Sequence, residues 1–217
     1  VKTIDYALLG RALALWGRQG FQQVEAPWRV GLSVIALTKP PHVDRADYLL
    51  AGTGKALVAS GEQSLLYQAC KGFLPPGRYM TVTPCFRNDD HGPYHAKQFL
   101  KLEVMVLGAA DWAPTQRDVV VLANTAADIA AQLAPEAIGH LGTSPVGGDD
   151  PLAVAGTSQL DLVLEIAGRE IELGSYGARR APFAAWLYGT GLAEPRFSGA
   201  TAELAAHVKH QHRTDTT

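Results

Sequence analysis

Residues 81–108, TVTPCFRNDDHGPYHAKQFLKLEVMVLG, constrain the fold more than any other stretch of the chain. Alternating β-formers run up to Phe86 and Arg87, a polar segment containing Gly92 follows, and a second apolar run returns from Gln98 to Val106. Two such runs joined by a polar, Gly-containing connection predict a long-looped antiparallel hairpin. Successive strand side chains alternate between faces, so Phe99, Lys101 and Glu103 share one face, where Arg87 can join them. Arginine supplies forked donors for phosphate or carboxylate, phenylalanine a stacking surface, and glutamate an acceptor for an ammonium or hydroxyl group. Those are the groups a nucleotide plus an amino acid would need. An ordinary surface hairpin with a salt bridge uses the same residues, so the rest of the chain has to supply companions.

With 217 residues, 47% of them hydrophobic and 18% charged, the chain suits one globular domain over residues 1–217. A net charge of -2 provides no bulk basic field for nucleic acid. The two cysteines, Cys70 and Cys85, have no paired spacing that would suggest a metal or a disulfide framework. No apolar run reaches the roughly 18–20 residues of a membrane span, and the expectation is a reduced, cytoplasmic protein with no membrane partner.

Along the chain, residues 4–16 carry apolar side chains at helical spacing, with Gly17 and Gly20 at the end. Residues 21–27 read as a short strand, confined by Pro27 to an edge or an interface. Residues 31–54, dense in turn formers, read as loop. Their GTGK is not a phosphate loop, because position 49 is leucine and Ala56 stands where a magnesium-binding hydroxyl belongs. Residues 56–59 form a buried strand leading to Ser60-Gly61-Glu62 at the start of a helix, an arrangement that helix capping alone explains. Residues 111–133 predict a covering helix and residues 139–156 a surface loop. A second hairpin joins residues 160–166 to residues 170–175 and carries Glu172. Thr190 lies in a glycine-rich segment that ends at Pro195, which is placed to open a helix with Arg196 in its first turn. His91 and His95 belong to the hairpin loop, and His207, His210 and His212 to a polar tail.

Taken together, these pieces resemble the three motifs of class II aminoacyl-tRNA synthetases in the correct order, over residues 4–196. Motif 1 corresponds to about residues 4–30, motif 2 to about 80–108 and motif 3 to about 184–208. TPCFRND with QFLKLEVM, and Gly-Thr-Gly-Leu-Ala-x-x-Arg, look most like seryl-tRNA synthetase, and Ser60-Gly61-Glu62 resembles that family's Thr-x-Glu loop. The resemblance implies an α+β fold, an antiparallel sheet flanked by helices, and ATP-dependent activation of an amino acid. It places Arg87 between substrate carboxylate and α-phosphate, Arg196 on the γ-phosphate and Glu172 on ATP-bound magnesium. It puts Phe99 and Asp89 at the adenine, Ser60 and Glu62 at the ammonium, and Glu103 with Thr190 at the substrate side chain. Serine is the implied amino acid, with glycine, alanine or a serine-like noncanonical acid as alternatives. The family's helical tRNA-gripping arm has no counterpart before motif 1, and the motif 2 loop is short and acidic, which disfavours a phosphate backbone. The chain is therefore similar to stand-alone amino acid:carrier-protein ligases, whose acceptor is a carrier-protein thiol or a small molecule. Those relatives bind zinc, for which only Cys85 and Glu103 are at hand here. Motif 1 implies a homodimer. Two other readings are a non-catalytic sensor of amino acid or ATP and a minimal enzyme that charges tRNA.

Overall fold

The computed structural model describes residues 3–39, 46–88, 92, 94–147 and 150–214, the side chains of 212–214 excepted. In chain order the helices are α1 (Tyr6–Arg18), α2 (Leu32–Thr38), α3 (Gly61–Cys70), α4 (Gln116–Leu133) and α5 (Arg196–Thr214), with a 3-10 turn at Pro135–His140. The strands are β1 (Gln22–Gln23), β2 (Arg29–Gly31), β3 (Leu49–Leu50), β4 (Lys55–Leu57), β5 (Gly77–Phe86) and β6 (Gln98–Leu107). They continue as β7 (Leu141–Val146), β8 (Gln159–Ile166), β9 (Arg169–Ala181), β10 (Ala184–Gly189) and β11 (Ala193–Glu194).

The long hairpin forms the middle of the molecule. β5 and β6 pair antiparallel from Gly77 opposite Leu107 to Phe86 opposite Gln98. The main sheet runs β1-β5-β6-β10-β9-β8-β7, and β11 adds to the end of β6 that β10 leaves free. Its neighbours are antiparallel except β1 and β5. A separate small sheet, β2-β4-β3, carries α2 and α3.

Alternation sorts the two faces. Leu102 and Val104 of β6, with Leu162, Leu164, Leu173 and Leu187, pack against Leu8, Leu9 and Trp16 of α1, against α4, and against Phe197 and Leu204 of α5. The opposite face carries Met105, Trp186 and Tyr188, covered in part by Val34 and Ile35 of α2 and by Leu65 and Leu66 of α3. Helices therefore seal one face fully and leave a gap on the other.

Two loop expectations are corrected. Residues 31–54 contain the end of β2, α2 and β3, because Val34 and Ile35 are buried in a helical turn that the flanking glycine and proline punctuation obscured. Residues 139–156 contain β7, whose Pro145 is tolerated because β7 is the outermost strand. The edge position expected for residues 21–27 is observed: Gln22 and Gln23 pair with β5, and the Val24 amide donates to the Met80 carbonyl at 2.9 Å. At the β8–β9 connection, Ala167 and Gly168 have φ of 51° and 74°, the left-handed pair a tight two-residue hairpin turn requires.

Candidate active site

The gap on the sheet holds the residues that the sequence singled out. Phe99, Lys101 and Glu103 project from β6 toward it, opposite Cys85, Thr83 and Thr81 of β5. Arg87 sits one residue past β5, where its amide donates to the Lys97 carbonyl at 2.9 Å. Its Nε donates to the Ala59 carbonyl at 2.9 Å, and its guanidinium lies 5.4 Å from the Phe99 ring centroid. Arg196 arrives from the first turn of α5, with Nη1 3.5 Å from Glu172 Oε1 and Nε 3.4 Å from the Tyr94 carbonyl. Arg87, Phe99 and Arg196 thus converge on one cleft with Tyr94 and Pro195. The same three line an adjoining cavity of about 260 Å³, shared with Ser60, Glu62, Lys101, Glu172 and Thr190. Asp89 and His91 lie outside the described residues.

Glycine lets the segments close in. A Cβ on Gly191 would stand 2.6 Å from Gly174 Cα, so β9 and the loop after β10 meet backbone to backbone. Glu194, at the foot of that loop, is fully buried. Its carboxylate accepts from Ser198 N at 3.0 Å and Ser198 Oγ at 2.6 Å, and from Asp5 N at 3.2 Å. It therefore caps α5 and ties it to the residue before α1.

Two of the expected ligand-binding acids are already engaged. Glu103 is 0% exposed and lies beneath the cavity lining. Its carboxylate accepts from Ser60 Oγ at 2.5 Å and from the Gly61 amide, and stands 3.3 Å from Lys101 Nζ. Ser60 consequently makes no side-chain cap for α3, so the capping explanation for the Ser-Gly-Glu stretch does not hold. Burial pushes the Lys101 ammonium below the usual lysine range; Glu103 opposes the shift and Arg87 adds to it. Glu62 accepts from Arg179 Nη1 at 2.6 Å and from Trp186 Nε1 at 2.8 Å.

Arg179 is the residue that sequence reasoning missed. Its Nε also donates to Asp150 Oδ2 at 2.6 Å, and its guanidinium lies 4.2 Å from the Tyr188 ring centroid. Tyr188 in turn donates to Gln159 Oε1 at 2.9 Å. Alternation counted along β9 from Ser175, which lines the same cavity, reaches Arg179 four residues on, whereas Glu172 joins that face through the irregularity opposite Leu162 and Val163.

For metals the two expectations diverge. Glu172 keeps an accessible carboxylate at the cavity, with Ser175 Oγ 3.4 Å from it. Asp161, opposite Ser175, is raised above the usual carboxylate range by burial and then by the Glu172 charge, against a hydrogen bond from Ser175. Hard oxygen donors of this kind fit magnesium, which takes its remaining ligands from water and phosphate. Zinc does not fit. Cys85 is fully buried, burial pushes its thiol up to about 12, and its sulfur lies 3.6 Å from the Thr83 carbonyl. No cluster of three or more His, Cys, Asp or Glu suited to a metal occurs among the described residues.

The sequence matches no protein-family model, and no curated protein matches it. Its structure is similar to that of seryl-tRNA synthetase from Pyrococcus horikoshii complexed with ATP, at a TM-score of 0.71 and 19% identity over 92% of this chain and 50% of that one. It is also similar to the cytoplasmic serine-tRNA ligase of Naegleria fowleri in complex with AMP, at 0.69 and 18% over 91% of this chain and 48% of that one. Pyrrolysyl-tRNA synthetase from Desulfitobacterium hafniense gives 0.65 and 18% over 88% of this chain and 64% of that one. The chain spans about half the length of the two seryl enzymes. At these identities the likeness speaks for the fold, and the fold is that of a class II aminoacyl-tRNA synthetase catalytic core.

Proposed function

We propose that the chain is an adenylate-forming ligase that activates an α-amino acid with ATP. The observation that carries this reading is the convergence of Arg87, just past β5, and Arg196, at the start of α5, on one cavity with Phe99 and Glu172. Adenine stacks at the Phe99–Arg196 cleft, Arg196 holds the γ-phosphate, and Arg87 bridges the α-phosphate and the substrate carboxylate. Ser60 and Glu62 face the α-ammonium, and Thr190 lines the way toward the side chain. A carboxylate oxygen attacks the α-phosphorus in line, the bond to the β-phosphate bridging oxygen breaks, and pyrophosphate leaves with that electron pair. No protein nucleophile is needed, because positioning and fixed positive charge carry such a transfer. Glu172 would hold magnesium brought in with ATP, and the ion would supply charge stabilisation for the phosphates.

The adenylate then passes its acyl group to a nucleophile other than tRNA, a carrier-protein thiol or a small molecule, with AMP as the leaving group. The working unit is a cytoplasmic homodimer joined through α1 and β1. ATP–pyrophosphate exchange over a panel of amino acids tests the activation step. Exchange with at least one acid is expected, and Arg87→Ala or Arg196→Ala should lower it by about 100-fold or more. Exchange undiminished in both variants would sink the assignment. Incubation of the adenylate with carrier protein, with tRNA and with small thiols then separates the acceptors.

A further inference from the structure

The 260 Å³ cavity does not end at the residues named so far. Away from the Phe99–Arg196 cleft, Thr38, Gln159, Arg179 and Tyr188 form part of its wall, and the same four residues line a second chamber of about 500 Å³. The Tyr188–Gln159 hydrogen bond and the Arg179–Tyr188 contact make part of this partition from side-chain ends. Beyond it lie small and apolar groups such as Ala36, Leu152 and Ala153, with Thr157 and Ser158 among them.

We propose that the second chamber receives the substrate's side chain, and that the amino acid carries a long, uncharged, hydrogen-bonding side chain in place of the hydroxymethyl of serine. The inference rests on the amino-acid-activation reading above. With the nucleotide at the Phe99–Arg196 end and the carboxylate at Arg87, the side chain has two directions open to it. One leads toward Glu103, which is 0% exposed and already engaged by Ser60, Gly61 and Lys101. The other leads past Gln159 and Tyr188 into the chamber.

Charge narrows the class. Glu62, Asp150 and Arg179 together leave one negative charge, which the substrate's own α-ammonium balances. Lys39, at the chamber rim, stands 3.4 Å from Asp47. Among the described residues a charged side-chain end would meet no counter-charge beyond the pairs already formed, at a heavy desolvation cost, whereas amide, ureido or hydroxyl groups can use the hydroxyls and carbonyls present. Size agrees, because small-molecule sites of this sort span about 300–1,000 Å³.

Pyrophosphate exchange and calorimetric binding with glutamine and citrulline, against serine, alanine, leucine, glutamate and lysine, test the proposal on the full chain. Ala153→Trp, which fills the chamber from an exposed wall position, is measured alongside, with Ala36→Trp on α2 used if the first variant unfolds on heating well below the wild type. Glutamine or citrulline should exceed serine in kcat/KM by about 100-fold, as expected where a polar group finds or lacks its partners. The tryptophan variant should lower that figure by about 10-fold or more while AMP binding stays unchanged. A preference for serine, alanine, leucine, glutamate or lysine, or a tryptophan variant that affects all acids alike, overturns the inference and leaves adenylation standing. Exchange with no amino acid overturns both.

Discussion

Lys101 and Glu103 stand two residues apart on β6 with 3.3 Å between their charges, and both side chains are almost wholly withdrawn from water. Removing one partner of such a pair strands the other, at a cost of about 3–5 kcal/mol. Glu103→Gln should therefore lower the unfolding midpoint by about 6–20 °C for a chain of this size, measured by calorimetry. Lys101→Met added to it should recover part of the loss, since the stranded charge is then gone. Gly61 belongs to the same cluster: a Cβ there would lie 2.5 Å from Glu103 Oε2 and 2.9 Å from Thr83 Oγ1. Cys85 gives a second test at this scale. Its folded thiol holds its proton up to about 12, well above the unfolded value, so the stability it contributes is complete below the unfolded pKa and is lost as pH rises through about 12. Iodoacetamide at pH 8 should label exposed Cys70 and spare Cys85 in the native protein. Cys85→Ala should flatten the alkaline fall in stability by at most about 1.4 kcal/mol per pH unit, read from urea titrations at several pH values.

Among the elements, the junction between β11 and α5 has the most to lose. Glu194→Ala removes the cap on α5 and leaves the Asp5 amide without its acceptor, which should cost about 2 kcal/mol in denaturant unfolding. Because Arg196 occupies the first turn of the same helix, the variant should also raise the apparent Kd for ATP, while Glu194→Gln, which keeps an acceptor, should raise it less. This part of the fold was legible in the sequence: Pro195 announced a helix and Arg196 its first turn. The β5–β6 hairpin was equally legible, because a strict alternation of Phe99, Lys101 and Glu103 leaves little freedom in register. β7 and α2 were not, since Gly, Pro and Ser punctuation outweighed short apolar runs whose burial depends on partners far along the chain. Arg179 escaped for a related reason: β9 runs 13 residues, and its site-facing side chains continue after the apolar signal fades. The true partners of Glu62 and Glu103 were invisible because side-chain pairing across a fold leaves no local pattern.

At the level of the whole molecule, one covered face and one open face set where chemistry and association can occur. Trp28 is 60% exposed and Leu49 66% exposed, both on or beside the small sheet, and Tyr6 of α1 is 70% exposed. Tyr6 lies on the helix, and Trp28 shortly after the strand, through which the proposed dimer would join. Sedimentation velocity should show two copies per particle, and Tyr6→Glu together with Trp28→Glu should shift it to one; a monomeric wild type at micromolar concentration would exclude the dimer. No helix among the described residues is long and apolar enough to cross a membrane.

The strand order also dictates a timetable. β6 acquires β5 at once, but its other edge waits for β10 and β11, which leave the ribosome only after the whole of α4, β7, β8 and β9. At ordinary elongation rates that delay is on the order of ten seconds. Through that interval the hairpin presents an unpaired border of backbone donors and acceptors to any neighbouring nascent chain. The cleft offers no binding energy during it, because Arg196, which closes the cleft opposite Arg87, follows β10 and β11 in the chain.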